Sequence, residues 1–164
     1  MKSIYLDNCC MSRLTDELSA LRVFTEANAV EFLLTKVAVN ELHWVASTIN
    51  LAEIERIEKP IKRGESLALL DRAGPLHNPT DAAVARGKFL HNLGYGKQDA
   101  MHMACAEESG VSVLLTTDDA FQGLAERGIG GPRVTVENPV RWVGIHYPKE
   151  IGDDSAGEDR ADDR

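Results

Sequence analysis

The chain holds little cysteine, three among 164 residues. An odd number that small excludes a fully paired disulfide framework and fits a reducing cytoplasm. Long apolar runs are missing. None reaches the roughly 18–20 residues that span a bilayer, and the N-terminal run Ile4, Tyr5, Leu6 stops at Asp7, too short for a signal-peptide core. A cytoplasmic protein outside the membrane is expected. Aromatic residues are scarce at 5%, so few side chains are available to stack on bases, and no nucleic-acid sequence preference follows. Positive charge is in deficit, with a net charge of −8. An acidic protein is a poor general binder of nucleic acid, so any such role must rest on a local basic surface or on bound cations. Zinc and phosphate-loop spacings are absent too. Cys9 and Cys10 are adjacent, there is no C-x-x-C, and the five histidines show no H-E-x-x-H, so the cysteines read as small buried residues. GYGK at 94–97 lacks the length and the following Ser or Thr of a P-loop and reads as a helix stop, although Lys97 can reach a phosphate.

What is present fits one domain with a tail. A chain of this length buries a core without staples. The last twelve residues, DDSAGEDRADDR, hold six acids against two bases and carry half of the net charge. With almost no apolar residues they are expected to be disordered, giving a folded domain over residues 1–148 and an acidic tail over 149–164. Within the domain the pattern alternates. Strands are expected at 3–7, 30–36, 111–116 and 133–136. Helices are expected over 13–28, from an Asn40 cap through Glu41, Leu42, Trp44, Val45 and Ile49, over 51–70 with a break near Pro60, over 81–93 capped by Thr80, over 98–109 closed by Gly110, and over 119–127. No internal repeat is present. Strands separated by helices of this length force parallel pairing in a covered sheet. Ligands of such sheets gather beyond the carboxyl ends of the strands.

The acids fall where that edge should be. Asp7 follows the first strand, Asp118 and Asp119 follow the strongest later strand, and Glu41 and Asp99 lie near expected helix starts. Two carboxylates about 4 Å apart repel by roughly 1–4 kcal/mol, and one pKa rises unless a cation compensates. Clustered carboxylate oxygens without a thiolate or imidazole partner suit Mg2+ or Mn2+ rather than zinc. One or two such ions supply an activated water and stabilise the leaving oxygen in phosphodiester hydrolysis.

IYLDNCC at 4–10, VAVNEL at 37–42, GKQDAMHMACA at 96–106 and LLTTDDAF at 114–121 together resemble the four acidic motifs of the PIN-domain ribonucleases, which include the toxins of VapBC-type toxin–antitoxin pairs. NPVRW at 138–142 resembles the close of that fold, so the resemblance spans about residues 3–143. It implies an α/β fold, a three-layer α/β/α sandwich with a central, mostly parallel sheet. It implies metal-site and catalytic roles for Asp7, Glu41, Asp99 and Asp118, with Asp7 and Asp99 as direct ligands and Glu41 and Asp118 ligating directly or through water. It implies Mg2+ (or Mn2+) as cofactor, RNA as substrate, a small antitoxin as partner, and homodimers; apolar residues of 51–70 read equally as a surface for such pairing or as core packing. Thr116 stands where the family often has a site-orienting hydroxyl. One departure is that Asn8 precedes Cys9 where the family often has a hydroxyl residue followed by asparagine, so Asn8 would supply its polar contact from a shifted position.

Each residue also has a plainer reading. Asp7 can be a turn former, Glu41 and Asp99 can answer a helix dipole, and Asp118 or Asp119 can be a helix cap, with Asp119 a second candidate ligand. His102 and Cys105 share one helix face, but His102 reads as a packed or surface residue rather than a base. Arg56, Lys59, Lys62 and Arg63 form the densest basic cluster. They read as a solvated helical face or, with Arg13, Arg86 and Lys88, as guides for an RNA backbone. Rival functions are a catalytically silent PIN-like scaffold and a magnesium-dependent phosphatase-like enzyme. The latter needs an acid two residues after Asp7, where Cys9 stands.

Overall fold

A computed structural model of the chain describes residues 1–151, with the side chain of Ile151 left aside. The elements run β1 (Lys2–Leu6), α1 (Asn8–Arg13), α2 (Leu21–Ala38), β2 (Leu42–Val45), α3 (Thr48–Glu55), α4 (Pro60–Leu70), a 3-10 turn at Asp71–Ala73, α5 (Asp81–Asn92), α6 (Lys97–Glu108), β3 (Val113–Leu115), α7 (Asp119–Glu126), β4 (Thr135–Glu137), α8 (Pro139–His146) and α9 (Pro148–Ile151). The sheet order is β2-β1-β3-β4, and every pairing is parallel. The acidic tail expected over 149–164 lies, from residue 152 onward, outside the described residues. No helix among the described residues is long and apolar enough to cross a membrane.

Alternation along the central strands builds two cores. Ile4, Leu6, Val113 and Leu115 point to one face, where they meet Val30 and Leu33 of α2 together with Trp44 and Trp142. Tyr5 and Leu114 point to the other face, onto Leu90, Met103 and Phe121 of α5, α6 and α7. Both faces of β1 and β3 are therefore buried, as a parallel sheet requires, and the result is the expected three-layer α/β sandwich. Each fully buried Leu, Ile or Phe contributes about 1.5–3 kcal/mol of transfer free energy to this packing.

Three expected elements are different in the structure. The helix expected over 13–28 is divided, because α1 ends at Arg13, residues 14–20 are turns and bends, and α2 starts only at Leu21. Residues 30–36 are the second half of α2, not a strand. Val30, Leu33 and Leu34 continue the burial spacing of Glu26, Ala27 and Ala29, so a period near 3.6 outweighs the β propensity of VEFLL. Residues 42–45, expected as helix, form β2, with Leu42 and Trp44 buried and His43 exposed between them. Asn40 does not open a helix. At φ +59 it closes α2: its N–H donates to Val37 O and the Glu41 N–H donates to Lys36 O, the paired bonds of a Schellman stop. The next helix is capped by Ser47, whose hydroxyl accepts from Ile49 N. The break at Pro60, the Thr80 cap and the stop at Gly110 (φ +64) are as expected. Apolar residues of 51–70 are mostly spent on the first core, where Leu51, Ile57, Leu67 and Leu69 pack, leaving Ile61 exposed.

Candidate functional site

The carboxyl edge of the sheet collects the chemistry. Asp7 leaves β1 directly and is only 5% exposed. Its Oδ2 accepts from Thr116 Oγ1 at 2.8 Å and from Cys9 Sγ at 3.1 Å. The hydroxyl of Thr116 also accepts from Asp118 N at 3.1 Å, so one side chain at the end of β3 orients both acids. The thiol of Cys9, held by Thr117 N, takes the place beside Asp7 that Asn8 was expected to fill. Asn8 instead locks onto α3, donating to Asn50 O and accepting from Asn50 Nδ2.

Asp118 caps α7, with its Oδ1 accepting from Ala120 N and Phe121 N. Its neighbour Asp119 is clamped by Arg22 through two 2.7 Å bonds, so Arg22 neutralises one of the twin acids and leaves the other. Asp99 lies in the first turn of α6. Burial, then the charges of Asp7 and Asp118, raise its pKa from 3.8 to about 7, with His102 opposing and Glu53 adding to the rise.

Glu41 does not join this group. It precedes Leu42, which is in register with Lys2 at the amino end of β1, about 16 Å from the Asp7 end at the usual rise of a strand. It is exposed and paired with Lys36 at 3.1 Å. The fourth carboxylate is Glu53 on α3, outside the expected set, while the VAVNEL stretch spans the end of α2, the turn at Asn40 and the first residue of β2. Its Oε1 is 3.3 Å from His102 Nε2, which is 3.5 Å from Asp7 Oδ1. Asp7, Glu53 and His102 each bring a ligand atom within 4.8 Å of the others. Helical spacing places both added residues beside others of this edge. Glu53 is at i+3 from Asn50 on the face of α3 that is buried, and His102 is at i+3 from Asp99 on α6.

His102 is fully buried. Its Nδ1 is 2.7 Å from Tyr5 Oη, which is 2.6 Å from Ser47 Oγ. Burial opposes its protonation, but Glu53, Asp7 and Asp99 outweigh burial and raise its pKa. It does not pair with Cys105, whose thiol is raised to about 11 by burial and stays protonated at neutral pH.

Charge pairing separates this site from the rest of the fold. Among the described residues, Asp16, Glu26, Glu107 and Glu137 are at least partly buried, and each has an arginine or lysine partner. Asp7, Glu53 and Asp99 are at least partly buried and have none. Of the expected phosphate guides, Arg13 and Lys62 are bound to Asp16 and Arg86 to Glu107, and Arg63 donates to Ile57 O. Arg56, Lys59, Lys88 and Lys97 are exposed.

The carboxylates fit a hard divalent ion, because among the described residues their mutual repulsion goes unrelieved by any neighbouring arginine or lysine. Comparison with known proteins agrees with the fold. The sequence matches the PIN domain family over residues 4–127. No curated protein matches it significantly. Among solved structures, the chain is similar to one in the crystal structure of VapBC2 from Rickettsia felis bound to a DNA fragment from their promoter. The TM-score is 0.56 at 16% identity, covering 83% of this chain and 98% of that one. With the family match spanning most of the domain, the chain belongs to the PIN domain family.

Proposed function

We propose that this protein is a metal-dependent endoribonuclease that hydrolyses RNA phosphodiester bonds. In this reading Asp7, Glu53, Asp99 and Asp118 hold Mg2+ or Mn2+ at the carboxyl edge of the sheet, and Glu41 has no part. The observation that carries it is the set of partly buried acids that, among the described residues, meet no arginine or lysine and share only the imidazole of His102, one of them with its pKa raised to about 7. A divalent ion bound there supplies water activation and stabilises the leaving oxygen. Thr116 and Cys9 orient Asp7 through neutral donors, so its negative charge stays available. Lys97, exposed and two residues before Asp99, is the residue this reading assigns to the RNA backbone.

The solved neighbour is a VapBC assembly. By that likeness we propose a toxin of a toxin–antitoxin pair, with a small antitoxin covering the acidic edge and the chain pairing as a homodimer. The test is cleavage of RNA by the purified full chain with Mg2+ or Mn2+, beside Asp7→Asn and beside an EDTA-treated sample. Cleavage only by the wild type, abolished by EDTA, is expected. Equal cleavage in all three overturns the reading. Growth arrest on expression, relieved by a protein encoded next to it, tests the toxin assignment.

A further inference from the structure

His102 offers the acidic edge a nitrogen. From the reading of a metal site above, we infer that His102 Nε2 is itself a ligand of the ion, and that the centre is a mixed nitrogen–oxygen site that prefers Mn2+ over Mg2+. Three observations support this. First, Nε2 is buried and has no aligned hydrogen-bond partner, although two carboxylate oxygens lie 3.3 and 3.5 Å away. Donors sharing one ion at about 2.1 Å stand roughly 3.0–3.5 Å apart in octahedral or tetrahedral geometry, so these separations are those of co-ligands. Second, its other nitrogen is already engaged by Tyr5 Oη at 2.7 Å, as the outer ring nitrogen of a metal-bound histidine usually is. Third, the chain of hydroxyls beyond it has a terminus. Asn50 donates through Nδ2 to Leu6 O and Asn8 Oδ1, and its Oδ1 accepts from Ser47 N and faces Ser47 Oγ. This terminus lets protons run from Nδ1–H to Tyr5, from Tyr5 to Ser47 and from Ser47 to Asn50, so an ion that displaces the Nε2 proton finds a lone pair directed to the space shared with Asp7 and Glu53.

Imidazole binds first-row transition ions and adds little for magnesium. His102 therefore selects between the two ions that the carboxylates alone accept. Pulsed EPR of the full chain loaded with Mn2+ tests this, using natural-abundance protein and protein labelled with 15N-histidine. A directly bound imidazole nitrogen is expected, its coupling changing with the label and vanishing in His102→Gln. By calorimetric titration, His102→Gln should lose at least about tenfold in Mn2+ affinity, with Mg2+ affinity changing less than about threefold. Tyr5→Phe keeps the imidazole but frees Nδ1, and should weaken Mn2+ binding by about tenfold. Mn2+ bound without histidine nitrogen coupling in the wild type overturns this inference and leaves the metal-site reading standing. Failure of the wild type to bind Mn2+ at all overturns both.

Discussion

Replacing Asp99 with asparagine removes a charge that the apo protein holds at a cost. Burial and the charges of Asp7 and Asp118 raise this carboxyl from 3.8 to about 7. Full conversion of that rise gives about 4 kcal/mol, and the partial exposure of the side chain with salt screening reduces it to about 1–2 kcal/mol. The sign follows from linkage. A carboxyl whose folded pKa is raised supports the fold below its unfolded value, near pH 4, and that support is lost as pH rises through about 7. In EDTA, Asp99→Asn should match the wild type near pH 4 and exceed it by pH 8, by about 3–6 °C in Tm for a domain of this size. Mn2+ should reverse the order. At one hundred times its Kd it stabilises the wild type by about 2.7 kcal/mol, and the variant gains much less. Thermal unfolding followed by circular dichroism, at both pH values with and without Mn2+, reads all four states. A variant less stable than the wild type in EDTA at pH 8, or one that gains equally from Mn2+, would refute the picture of unrelieved repulsion.

Glu53→Gln should lower metal affinity and RNA cleavage by about 10–100-fold or more, whereas Glu41→Gln, far from the site and paired with Lys36, should cleave like the wild type. Asp118→Asn keeps a good N-cap for α7 and should fold normally while cleaving poorly. Asp119→Asn gives up only the exposed Arg22 pair, about 0–1 kcal/mol, and should keep its cleavage rate. Thr116→Val removes the hydroxyl that serves both Asp7 and Asp118 N. It should cost about 1–3 kcal/mol in chemical denaturation and reduce cleavage about 10–100-fold, with Thr116→Ser restoring both.

Legibility followed the physics of each element. Strands β1 and β3 were readable because both of their faces are buried, so IYL and VLL are short continuous apolar runs. The placement of three of the four proposed site acids was legible because a parallel sheet carries chain ends to a common edge: Asp7 follows β1, Asp118 lies three residues past β3, and Asp99 opens the helix that leads into β3. The fourth failed through one misread stretch. Reading 30–36 as a strand removed β2 from its place and made Asn40 a helix start, which promoted Glu41. A left-handed Asn40 closing α2 moves the chain direction by a whole element, and Glu41 then falls at the amino edge of the sheet instead of the carboxyl edge. His102 was missed for another reason. A histidine on an apolar helix face is usually packed, and only the approach of Tyr5 from β1 and Glu53 from α3, distant in sequence, gives it a role.

The way each acid is held sets apart the acids that serve the fold from those of the proposed site. Glu26 is buried at 2% exposure and meets Arg13, Arg22 and Asn138, so its charge is cancelled where it stands. Asp7 is nearly as buried, yet its hydrogen-bond donors are a hydroxyl and a thiol, and the one ionisable base beside it is the His102 imidazole at 3.5 Å rather than a guanidinium. Neutral donors fix the direction of a carboxylate without cancelling its charge, whereas a guanidinium does both. Arg22 makes the same contrast between adjacent residues, binding Asp119 with two hydrogen bonds while Asp118 is held by backbone N–H groups alone. An apo fold that needed only stability would gain from a basic residue at position 102 or 97 turned inward. The chain instead places there an imidazole, whose charge can be given up, and a lysine that faces solvent. The negative potential at this edge is therefore maintained by the packing of α3, α6 and the ends of β1 and β3, and a dication is the partner that lowers its energy most.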